Sequence, residues 1–247
     1  MALFEAHELH LRFGDRVVLE DISLTFEAGC LSGIMGPNGA GKTTCFNVLT
    51  GRYRPDRGRV IFDGRDITGR SPQAIARMGI ARSFQLMNLF DEFTAFENVA
   101  VALPQTRARG ADLIGRAYGD GGVAEEACEI LDTVGLGGRI DQIAKSLPYG
   151  ERRALEIAVA LASRPKLLFL DEPTAGLGSD GRARLADLVR RLKGRVTIVV
   201  IEHDMEFLFS LADDISVIHW GQVIAHGSPS DLRSNPWVRN SNLGKLA

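Results

Sequence analysis

Alternating apolar and polar residues mark the first part of the chain. Between residues 7 and 27 the alternation runs through LHLRF and RVVLEDISLTF, and VIFDG at 60–64 repeats it after the turn signal PDRG. A period of two places the apolar side chains on one face of a β-strand. The sequence therefore predicts an antiparallel sheet built from this region.

From about residue 71 to residue 163 the apolar spacing becomes mainly helical. SPQAIARMG has a serine cap and a proline at the first helical position, and EEACEILDTVGL has apolar spacings of three and four until Gly135. ERRALEIAVALAS is a third helical pattern, which ends before Pro165. The glycine-rich segment RGADLIGRAYGDGGV is predicted to be a flexible loop.

Continuous apolar runs form a third pattern. LSGIM at 31–35 is one such run, and KLLFLDEP and VTIVVIEHD are two more, each ending in carboxylates. Strands that are buried on both faces have this pattern, and the amphipathic segment GRARLADLVRRLKG between the last two is predicted to be a crossover helix. The chain is therefore predicted to have an α/β fold with a parallel βαβ unit after a helical insertion.

Composition narrows the class of protein. The 247 residues are 45% hydrophobic and 24% charged, with a formal net charge of −2, so one α/β domain with a subdomain is expected and a nucleic-acid partner is not indicated. Cys30, Cys45 and Cys128 have no metal-ligand spacing and are interpreted as small apolar residues. The start lacks the pattern of a secretory signal, and no apolar run approaches eighteen residues. If the protein works at a membrane, another chain is expected to carry the spans.

Residues 36–44, GPNGAGKTT, fit the phosphate-binding pattern G-x-x-x-x-G-K-[ST] between a predicted strand and a helix that Gly51 stops. The glycines allow the backbone to curl so that its N–H groups point at phosphate oxygens, and the helix dipole adds partial positive charge. Lys42 is predicted to reach the β- and γ-phosphates, and Thr43 to offer its hydroxyl to Mg²⁺. The predicted nucleotide contacts are Gly36, Pro37, Asn38, Gly39, Ala40, Gly41, Lys42, Thr43 and Thr44.

A second candidate site is LLFLDEP at 167–173. Asp171, at the carboxyl end of a buried strand, is predicted to hold the Mg²⁺ shell through water, because hard oxygen ligands suit that ion. Glu172 follows directly and is predicted to be the general base that activates a water in line with the γ-phosphate. An Asp-Glu pair at a strand end is common and is weak evidence by itself. The phosphate loop in the same chain makes its assignment to a nucleotide site much stronger.

Together these motifs resemble those of the ATP-binding subunit of an ABC transporter, and the resemblance covers nearly the whole chain. RSFQ at 82–85, the signature segment LPYGERRALEIAVAL at 147–161, VVIEHDM and LRFGDRVVL all match. The resemblance implies ATP and Mg²⁺ as cofactors, and catalytic roles for Glu172, His203 and Gln85. It implies Mg²⁺ coordination by Thr43, Gln85 and Asp171, stacking of adenine on Phe13, and ATP contacts from Pro148, Tyr149, Gly150 and Glu151.

The resemblance also implies the domain organisation. A single ABC ATP-binding domain is expected over residues 1–247. Its RecA-like P-loop NTPase core, with the antiparallel β-subdomain, is expected at about 1–85 and 164–227. A helical signature subdomain is expected at about 86–163 and a C-terminal helical tail at 228–247.

Within that family, details are similar to the branched-chain amino acid uptake branch. They are ARSFQ, Tyr149 where the usual LSGGQ has glycine, LEIA, DEPTAGL, IEHDM and the ending AHGSPSDLRSNPWVRNSNLG. The expected function is the ATP-binding and hydrolysing subunit of an uptake system for branched-chain or other amino acids. ATPases of urea-uptake or lipopolysaccharide-export systems remain alternatives.

Departures from the family pattern raise a further alternative. Pro148 stands where a serine hydroxyl usually contacts the γ-phosphate on the opposing subunit, Glu151 replaces glutamine, and Gly178 replaces an Asp or Asn. Loss of one charged hydrogen bond, about 1.5–3 kcal/mol, would slow a composite site by about one to two decades. We expect a weakened but working site, and a catalytically weak subunit of a heterodimer is the alternative.

The family also implies partners. Two such subunits are expected to close head to tail as a homo- or heterodimer, each presenting its phosphate loop to the other's signature segment. Membrane-spanning subunits are expected to bind them, and a solute-binding protein to act indirectly, so the chain is expected to be cytoplasmic and peripheral on the membrane. LMNLFDEFTAFENV is the candidate wall of the docking groove, although Phe90, Phe93 and Phe96, spaced by three, equally predict one buried helix face.

Other classes of protein fit less well. A tandem-cassette protein of translation or DNA repair would carry a second cassette or a long coiled coil, and the sequence has one phosphate loop and no sustained heptads. A P-loop GTPase would need N-K-x-D, and no Asn precedes Lys here.

Overall fold

The computed structural model describes residues 1–83, 88–107, 121–235 and residue 238. Two β-sheets and the helices around them account for this part of the chain. The strands are β1 Ala2–Phe13, β2 Arg16–Glu27, β3 Leu31–Met35, β4 Arg57–Phe62, β5 Arg65–Asp66, β6 Ile80–Arg82, β7 Leu167–Asp171, β8 Thr197–Ile201, β9 Asp214–His219 and β10 Gln222–Gly227. The helices are α1 Lys42–Leu49, α2 Pro72–Arg77, α3 Ala95–Ala100, α4 Pro104–Arg107, α5 Gly121–Thr133, α6 Tyr149–Ala162, α7 Ser179–Leu192, α8 Met205–Leu211 and α9 Pro229–Ser234.

The first sheet is antiparallel, in the order β2-β1-β4-β5. Its strands alternate buried and exposed residues, as the period of two predicts for a sheet with one face on the core. The predicted antiparallel sheet is confirmed, and β1 begins at Ala2, earlier than the alternation suggested.

The second sheet has the order β10-β9-β3-β8-β7-β6. Its five strands from β9 to β6 are parallel, and β10 adds an antiparallel edge. Every residue of β3, β7 and β8 is buried, which explains their continuous apolar sequence. The carboxyl ends of β3, β7 and β8 lie side by side, and this edge carries the candidate chemistry.

An aromatic cluster fixes the antiparallel sheet to the parallel one. The ring of Phe169 on β7 lies 5.6 Å from Phe4 of β1 and 5.7 Å from Phe46 of α1, both in edge-to-face contact. Phe26 and Phe62 complete the cluster on the antiparallel side. Such pairs are worth about 0.5–1.5 kcal/mol beyond their buried area. The helix after the phosphate loop is thereby held between the two sheets.

A second hydrophobic core lies between the parallel sheet and the helices α3, α5, α6 and α7. Side chains cap several helices: Ser71 accepts a hydrogen bond from the Ala74 N–H at 3.3 Å, and Thr94 and Ser228 form capping boxes. The predicted helices at 72, 125, 151 and 181 are confirmed. The third begins at Tyr149, two residues before the pattern suggested.

The region from 71 to 163, predicted to be mainly helical, also contains β6, whose three residues are too few to show a period. Two predictions within this region are corrected. Gly121–Val123, predicted to end a loop, begin α5; the preceding residues 108–120 lie outside the described part. Phe90, Phe93 and Phe96 do not share a helix face, because α3 begins only at Ala95.

The aromatic residues before α3 lie in a turn. The rings of Phe90 and Phe93 stack at 4.9 Å, and Phe90 is 58% exposed, whereas Phe96 is buried on the helix. Asn98 holds this turn, because its side chain accepts from the Phe90 N–H at 2.9 Å and donates to the Phe90 carbonyl at 3.0 Å. Over the described ranges, no helix is both long and apolar enough to cross a bilayer.

Candidate nucleotide-binding and hydrolysis site

The phosphate loop joins β3 to α1 and curls as its glycines require. The Ala40 N–H donates to the Pro37 carbonyl at 3.2 Å, and Gly41 at φ +101° stands before the first residue of α1. L-residues with a Cβ rarely adopt that φ. The first N–H groups of α1 have no side-chain cap, which leaves them available to an anion.

Neighbouring strands fix the outer side of the loop. The Gly221 N–H, in the turn between β9 and β10, donates to the Ala40 carbonyl at 2.9 Å, and the Gly221 carbonyl accepts from the Glu20 N–H at 2.8 Å. A Cβ placed on Gly36 would lie 2.1 Å from the Ile218 carbonyl oxygen. The loop is therefore pressed between β2 and β9, which leaves no room for a side chain at Gly36.

Lys42 is folded back onto its own loop. Its ammonium donates to the Gly36 carbonyl at 2.7 Å and the Pro37 carbonyl at 3.0 Å, and the residue is 6% exposed. Burial lowers the pKa of Lys42, and the carboxylates Glu172 and Asp171 oppose that shift. A bound phosphate would offer this cation a stronger partner than two carbonyls.

Asp171 and Glu172 lie at the carboxyl end of β7, beside the end of β8. Burial, and then the charge of Glu172, raise the pKa of Asp171 to about 6, while Arg82 opposes the shift. Glu172 has φ +44° in the left-handed region, and its N–H donates to the Ile201 carbonyl at 2.8 Å. A positive φ is uncommon at residues other than glycine, and Glu172 is one of six such residues in the described part of the chain.

His203 is brought to Glu172 by the neighbouring strand. Its Nδ1 lies 3.9 Å from Glu172 Oε1, and its side chain is 56% exposed. The two residues are 31 positions apart in the sequence, and the parallel pairing of β7 with β8 brings them together. The predicted base and the predicted switch histidine therefore face the same space.

Glu202 is a residue that sequence analysis missed. Its side chain is fully buried and accepts hydrogen bonds from the backbone N–H of Thr174 at 2.8 Å and of His203 at 3.0 Å. The Thr174 hydroxyl also donates to it. A carboxylate with several such donors is well satisfied in the interior. Glu202 thus ties the segment after Glu172 to the segment that carries His203; its position before His203 in IEHD was the only sequence signal.

Arg82 is a second residue that the sequence did not single out. Its guanidinium lies over the Phe46 ring at 4.6 Å and donates to the Thr50 hydroxyl at 3.1 Å. Burial lowers the pKa of Arg82, and Asp171 opposes that shift. A cation on β6 therefore lies near the carboxylate expected to serve Mg²⁺. Its place in RSFQ, next to a motif already noticed, could have identified it.

The signature segment starts α6. Pro148 is the N-cap residue at φ −53°, and it provides no side-chain cap. Gly150 lies in the first helical turn, and Glu151 pairs with Arg139 at 3.2 Å. Because no side chain caps this end of α6, its first N–H groups are left available to an anion.

The exposed Tyr149 connects the signature segment to the loop before α7. Its hydroxyl donates to the Ala175 carbonyl at 3.2 Å, and its ring would lie 3.1 Å from a Cβ on Gly176. Gly178 is the N-cap residue of α7, with no side-chain cap. Of the three departures from the family pattern, Pro148 and Gly178 stand at N-cap positions, and neither provides a side-chain cap.

The remaining predicted contacts are divided between surface and undescribed positions. Phe13 ends β1, is 49% exposed and makes an edge-to-face contact with Tyr53 at 5.4 Å, so part of its side chain is open to solvent. Thr43 is exposed in the first turn of α1, and Asn38 and Gly39 are exposed on the loop. Gln85 lies outside the described residues.

The candidate metal ligands of the site suit a Mg²⁺ ion that is bound mainly by the phosphates of a nucleotide. Thr43 and Asp171 offer a hydroxyl and a carboxylate, the hard oxygen ligands that Mg²⁺ takes beside phosphates and water. In the described ranges, no group of three His, Cys, Asp or Glu side chains could hold a metal by itself. These residues fit an ion that arrives with its nucleotide.

A groove of about 360 Å³ lies between α2, β6 and α6. Ile75 and Ala76 of α2, Ala81 and Arg82 of β6, and Glu156 and Val159 of α6 line it, together with Thr50 and Asn88. Its lining mixes apolar side chains with Arg82 and Glu156. One wall of the groove therefore includes a cation that acts on Asp171.

Comparison with known proteins defines the class. A profile of the ABC transporter family matches residues 19–175. The branched-chain amino acid transport ATP-binding proteins BraF of Pseudomonas aeruginosa and LivG of Escherichia coli are 38% and 36% identical, each over 98% of both chains. The lipopolysaccharide export ATP-binding protein LptB of Acidithiobacillus ferridurans is 32% identical over 98% of this chain and 97% of its own.

A solved structure of an ATP-binding cassette has the same fold as this chain. The ADP conformation of MJ1267, an ATP-binding cassette of an ABC transporter, has a TM-score of 0.85 at 29% identity, covering 99% of this chain and all of its own. The fold and site define a P-loop NTPase of the cassette type. The chain belongs to the ABC transporter family, and it is an ATPase coupled to transport.

Proposed function

We propose that this chain is the ATP-binding and hydrolysing subunit of an uptake system for branched-chain or other amino acids. BraF and LivG, which support this substrate class, align with 98% of the chain. LptB supports the alternative of lipopolysaccharide export at lower identity. The proposed site residues are those predicted from the sequence, including Gln85, for which the described residues give no geometry.

The observation that carries the hydrolytic role is the meeting of three groups at one sheet edge. Glu172 lies 3.9 Å from His203, and Lys42 is near enough for the charge of Glu172 to act on its pKa. In the proposed reaction Lys42 binds the β- and γ-phosphates and gives up its contacts with the loop carbonyls. Glu172 removes a proton from the attacking water, and His203 contacts the γ-phosphate.

Mg²⁺ is proposed to enter with ATP. Thr43, Asp171 and Gln85 would hold it directly or through water, and the ion would neutralise charge on the β- and γ-phosphates. Because burial raises the pKa of Asp171 to about 6, the ionised carboxylate gains a strong partner when the ion binds.

The signature segment is proposed to serve a second ATP-binding subunit. Pro148, Tyr149, Gly150 and Glu151 would meet the nucleotide held by the opposing phosphate loop. Support comes from the first turn of α6, whose N–H groups have no side-chain cap. Each site is then incomplete in one chain, so ATP binding favours closure of the pair.

Membrane-spanning subunits are proposed partners, with a solute-binding protein acting indirectly. The groove between α2, β6 and α6 is the proposed docking place for a short helix of such a subunit. The chain would then be peripheral on the cytoplasmic face of the membrane. Arg82 and Glu156, in the groove lining, give docking a route toward the catalytic edge.

The hydrolytic role is tested with Glu172→Gln. The amide keeps the size of the side chain but cannot accept the proton, so ATP should still bind while hydrolysis falls by about 100-fold or more. Steady-state ATPase assays and ATP-dependent thermal stabilisation measure the two properties, and light scattering with ATP should detect a persistent dimer. A variant that hydrolyses ATP at the wild-type rate would refute the assignment of Glu172 as base.

The substrate class is tested by purification from membranes. The chain should bring its membrane subunits with it, and vesicles containing the complex should accumulate leucine, isoleucine or valine only with Mg-ATP and the solute-binding protein. The Glu172→Gln complex is the matched control. Accumulation of urea instead, or co-purification with lipopolysaccharide-export subunits, would replace the amino-acid proposal.

A further inference from the structure

Helix α6, which begins with the signature segment, contains a buried ion pair between Arg153 and Glu156 whose role the motifs do not explain. Arg153 is 1% exposed and is one of the largest fully buried side chains. Its Nη1 donates to Glu156 Oε2 at 2.7 Å, one turn along α6, and Glu156 is 5% exposed. Removing two charges from water is costly, and apolar residues of similar size often do as well for stability. Stability alone is therefore a weak reason for this pair.

Arg153 also reaches the residue proposed as catalytic base. Its Nη2 donates to the Glu172 carbonyl oxygen over 3.5 Å, a long contact. On the other side of the same residue, the Glu172 N–H donates to the Ile201 carbonyl at 2.8 Å. The backbone of Glu172 is thus held from both α6 and β8, and it is held at φ +44°, a conformation that needs support from its surroundings.

The charge of Arg153 also acts on the carboxylate of Asp171, the residue before Glu172. Arg153 and Arg82 both act to lower the pKa of Asp171 against the effect of burial. Glu156 lies in the lining of the groove between α2, β6 and α6, as does Arg82. The pair therefore spans the distance from the groove to the carboxyl end of β7.

We propose that Arg153 is a positioning residue for hydrolysis: Glu156 orients its guanidinium, which fixes the backbone of Glu172 so that the Glu172 carboxylate stays beside His203. This inference rests on the proposed function of Glu172 as base. A purely structural role for Arg153 would affect ATP binding and folding as much as hydrolysis. A positioning role affects the hydrolytic step, and it acts only through Glu172.

The variant Arg153→Met separates the two roles. Methionine keeps much of the length of the side chain and leaves out the fork of donors. Because a displacement of about 1 Å in a catalytic group can lower a rate by about 100-fold, kcat should fall by roughly 10- to 100-fold. The KM for ATP and the thermal stabilisation by Mg-ATP should stay within about twofold of wild type, since Arg153 makes no proposed phosphate contact.

The control is Arg190→Met. Arg190 pairs with Asp187 on α7 at 2.7 Å and with the same spacing of three, and both side chains are at least half exposed. Its loss should leave kcat near the wild-type value, because exposed pairs contribute little. Arg153→Lys should recover part of the rate, since an ammonium can still pair with Glu156 but lacks the second arm.

A double-mutant cycle with Glu172→Gln decides whether Arg153 acts through the base. In the Glu172→Gln background, Arg153→Met should cause no further loss of kcat, because the group that it positions has already lost its function. Independent effects of the two substitutions, multiplying in kcat, would overturn the inference. So would a wild-type kcat in Arg153→Met, and that result would leave the proposed role of Glu172 intact.

If Arg153→Met does not fold, it is replaced by the double variant Arg153→Met with Glu156→Leu, because that variant removes both buried charges together. The double variant should fold, bind Mg-ATP and show the same loss of kcat as expected for Arg153→Met. A folded double variant with the wild-type kcat would overturn the inference. If Glu172→Gln itself hydrolyses ATP at the wild-type rate, the proposed function of Glu172 and this inference both fail.

Discussion

The phosphate loop and the signature segment each present the N-terminus of a helix, and they are built in opposite ways. The phosphate loop is fixed from several sides, by Gly221 at Ala40, by the carbonyl beside Gly36, and by Lys42 from within. The signature segment has Pro148 at its start and an exposed Tyr149, with one tyrosine hydrogen bond to the following loop. The phosphate loop is held by contacts within the chain, whereas the start of α6 keeps its N–H donors for the partner subunit proposed above.

Helix capping in the rest of the molecule sharpens this contrast. Ser71, Thr94, Asp204 and Ser228 each cap their helix with a side chain. Helices α1, α6 and α7 have no side-chain cap, and the first two begin at the segments of the proposed ATP sandwich. Because the first N–H groups of a helix need acceptors, an uncapped helix keeps them for an incoming anion.

The largest effect should come from Lys42→Ala. Two charged contacts with phosphate at about 1.5–3 kcal/mol each predict a loss of ATP affinity of at least about 100-fold. The fold should survive, since among the described residues the Lys42 ammonium donates to two carbonyls of its own loop. Thermal unfolding should be near wild type without nucleotide, and stabilisation by Mg-ATP should vanish. Full ATP-dependent stabilisation would contradict the assignment of this loop.

A matched pair of glycine variants should separate the two regions. In Gly36→Ala the new methyl would lie 2.1 Å from the Ile218 carbonyl oxygen, so the loop must shift, at a cost of about 1–3 kcal/mol. In Gly150→Ala the methyl meets Leu177 at 3.7 Å, an ordinary contact, and alanine favours the helix. Calorimetry with and without Mg-ATP should show a lowered unfolding temperature only in Gly36→Ala. Equal damage in both would remove the contrast.

Lowering the pH should weaken Mg²⁺-dependent binding on the phosphate-loop side. The folded chain holds the Asp171 proton more tightly than usual, with the pKa raised from 3.8 to about 6. As the pH falls through 6, protonation of Asp171 competes with Mg²⁺, and apparent Mg²⁺ affinity should fall by up to about tenfold per pH unit.

The same group should affect the nucleotide-free protein in the opposite direction. The unfavourable ionisation of buried Asp171 is absent below its ordinary pKa and fully present above about pH 6, so its contribution to stability falls as the pH rises through that window. Asp171→Asn should remove both dependences. They are measured by thermal unfolding between pH 5 and 7, with and without Mg-ATP, at about 0.15 M salt. A pH profile unchanged by the variant would exclude Asp171 as the source.

Pro148→Ser should have the smallest effect and acts on the signature side. A hydroxyl at this N-cap position can cap α6 itself, at about 0.5–2 kcal/mol, or contact the opposing γ-phosphate. The two uses compete, so we expect a modest rise in Tm and a gain in ATPase rate below about tenfold. Steady-state hydrolysis at saturating Mg-ATP, with membrane partners present, measures the gain. An unchanged or lower rate in a folded variant would show that Pro148 does not weaken the site.

The sequence by itself determined the parts of this protein whose chemistry is local. The phosphate loop needs its glycines and lysine within nine consecutive residues, and its predicted place between a strand and a helix is confirmed. The buried strands show their apolar runs directly and were predicted correctly. Phe90, Phe93 and Phe96 were less informative, because a spacing of three also arises where a turn precedes a helix.

The tertiary structure alone decided which distant groups meet. Parallel pairing of β7 with β8 places His203 beside Glu172, and the packing of α6 on that edge brings Arg153 to the Glu172 backbone. The short strand β6 and the hydrogen bonds of the buried Glu202 were likewise not predicted. Their positions depend on hydrogen bonds between segments far apart in the chain, and such long-range pairing leaves no periodic pattern in the residues that form it.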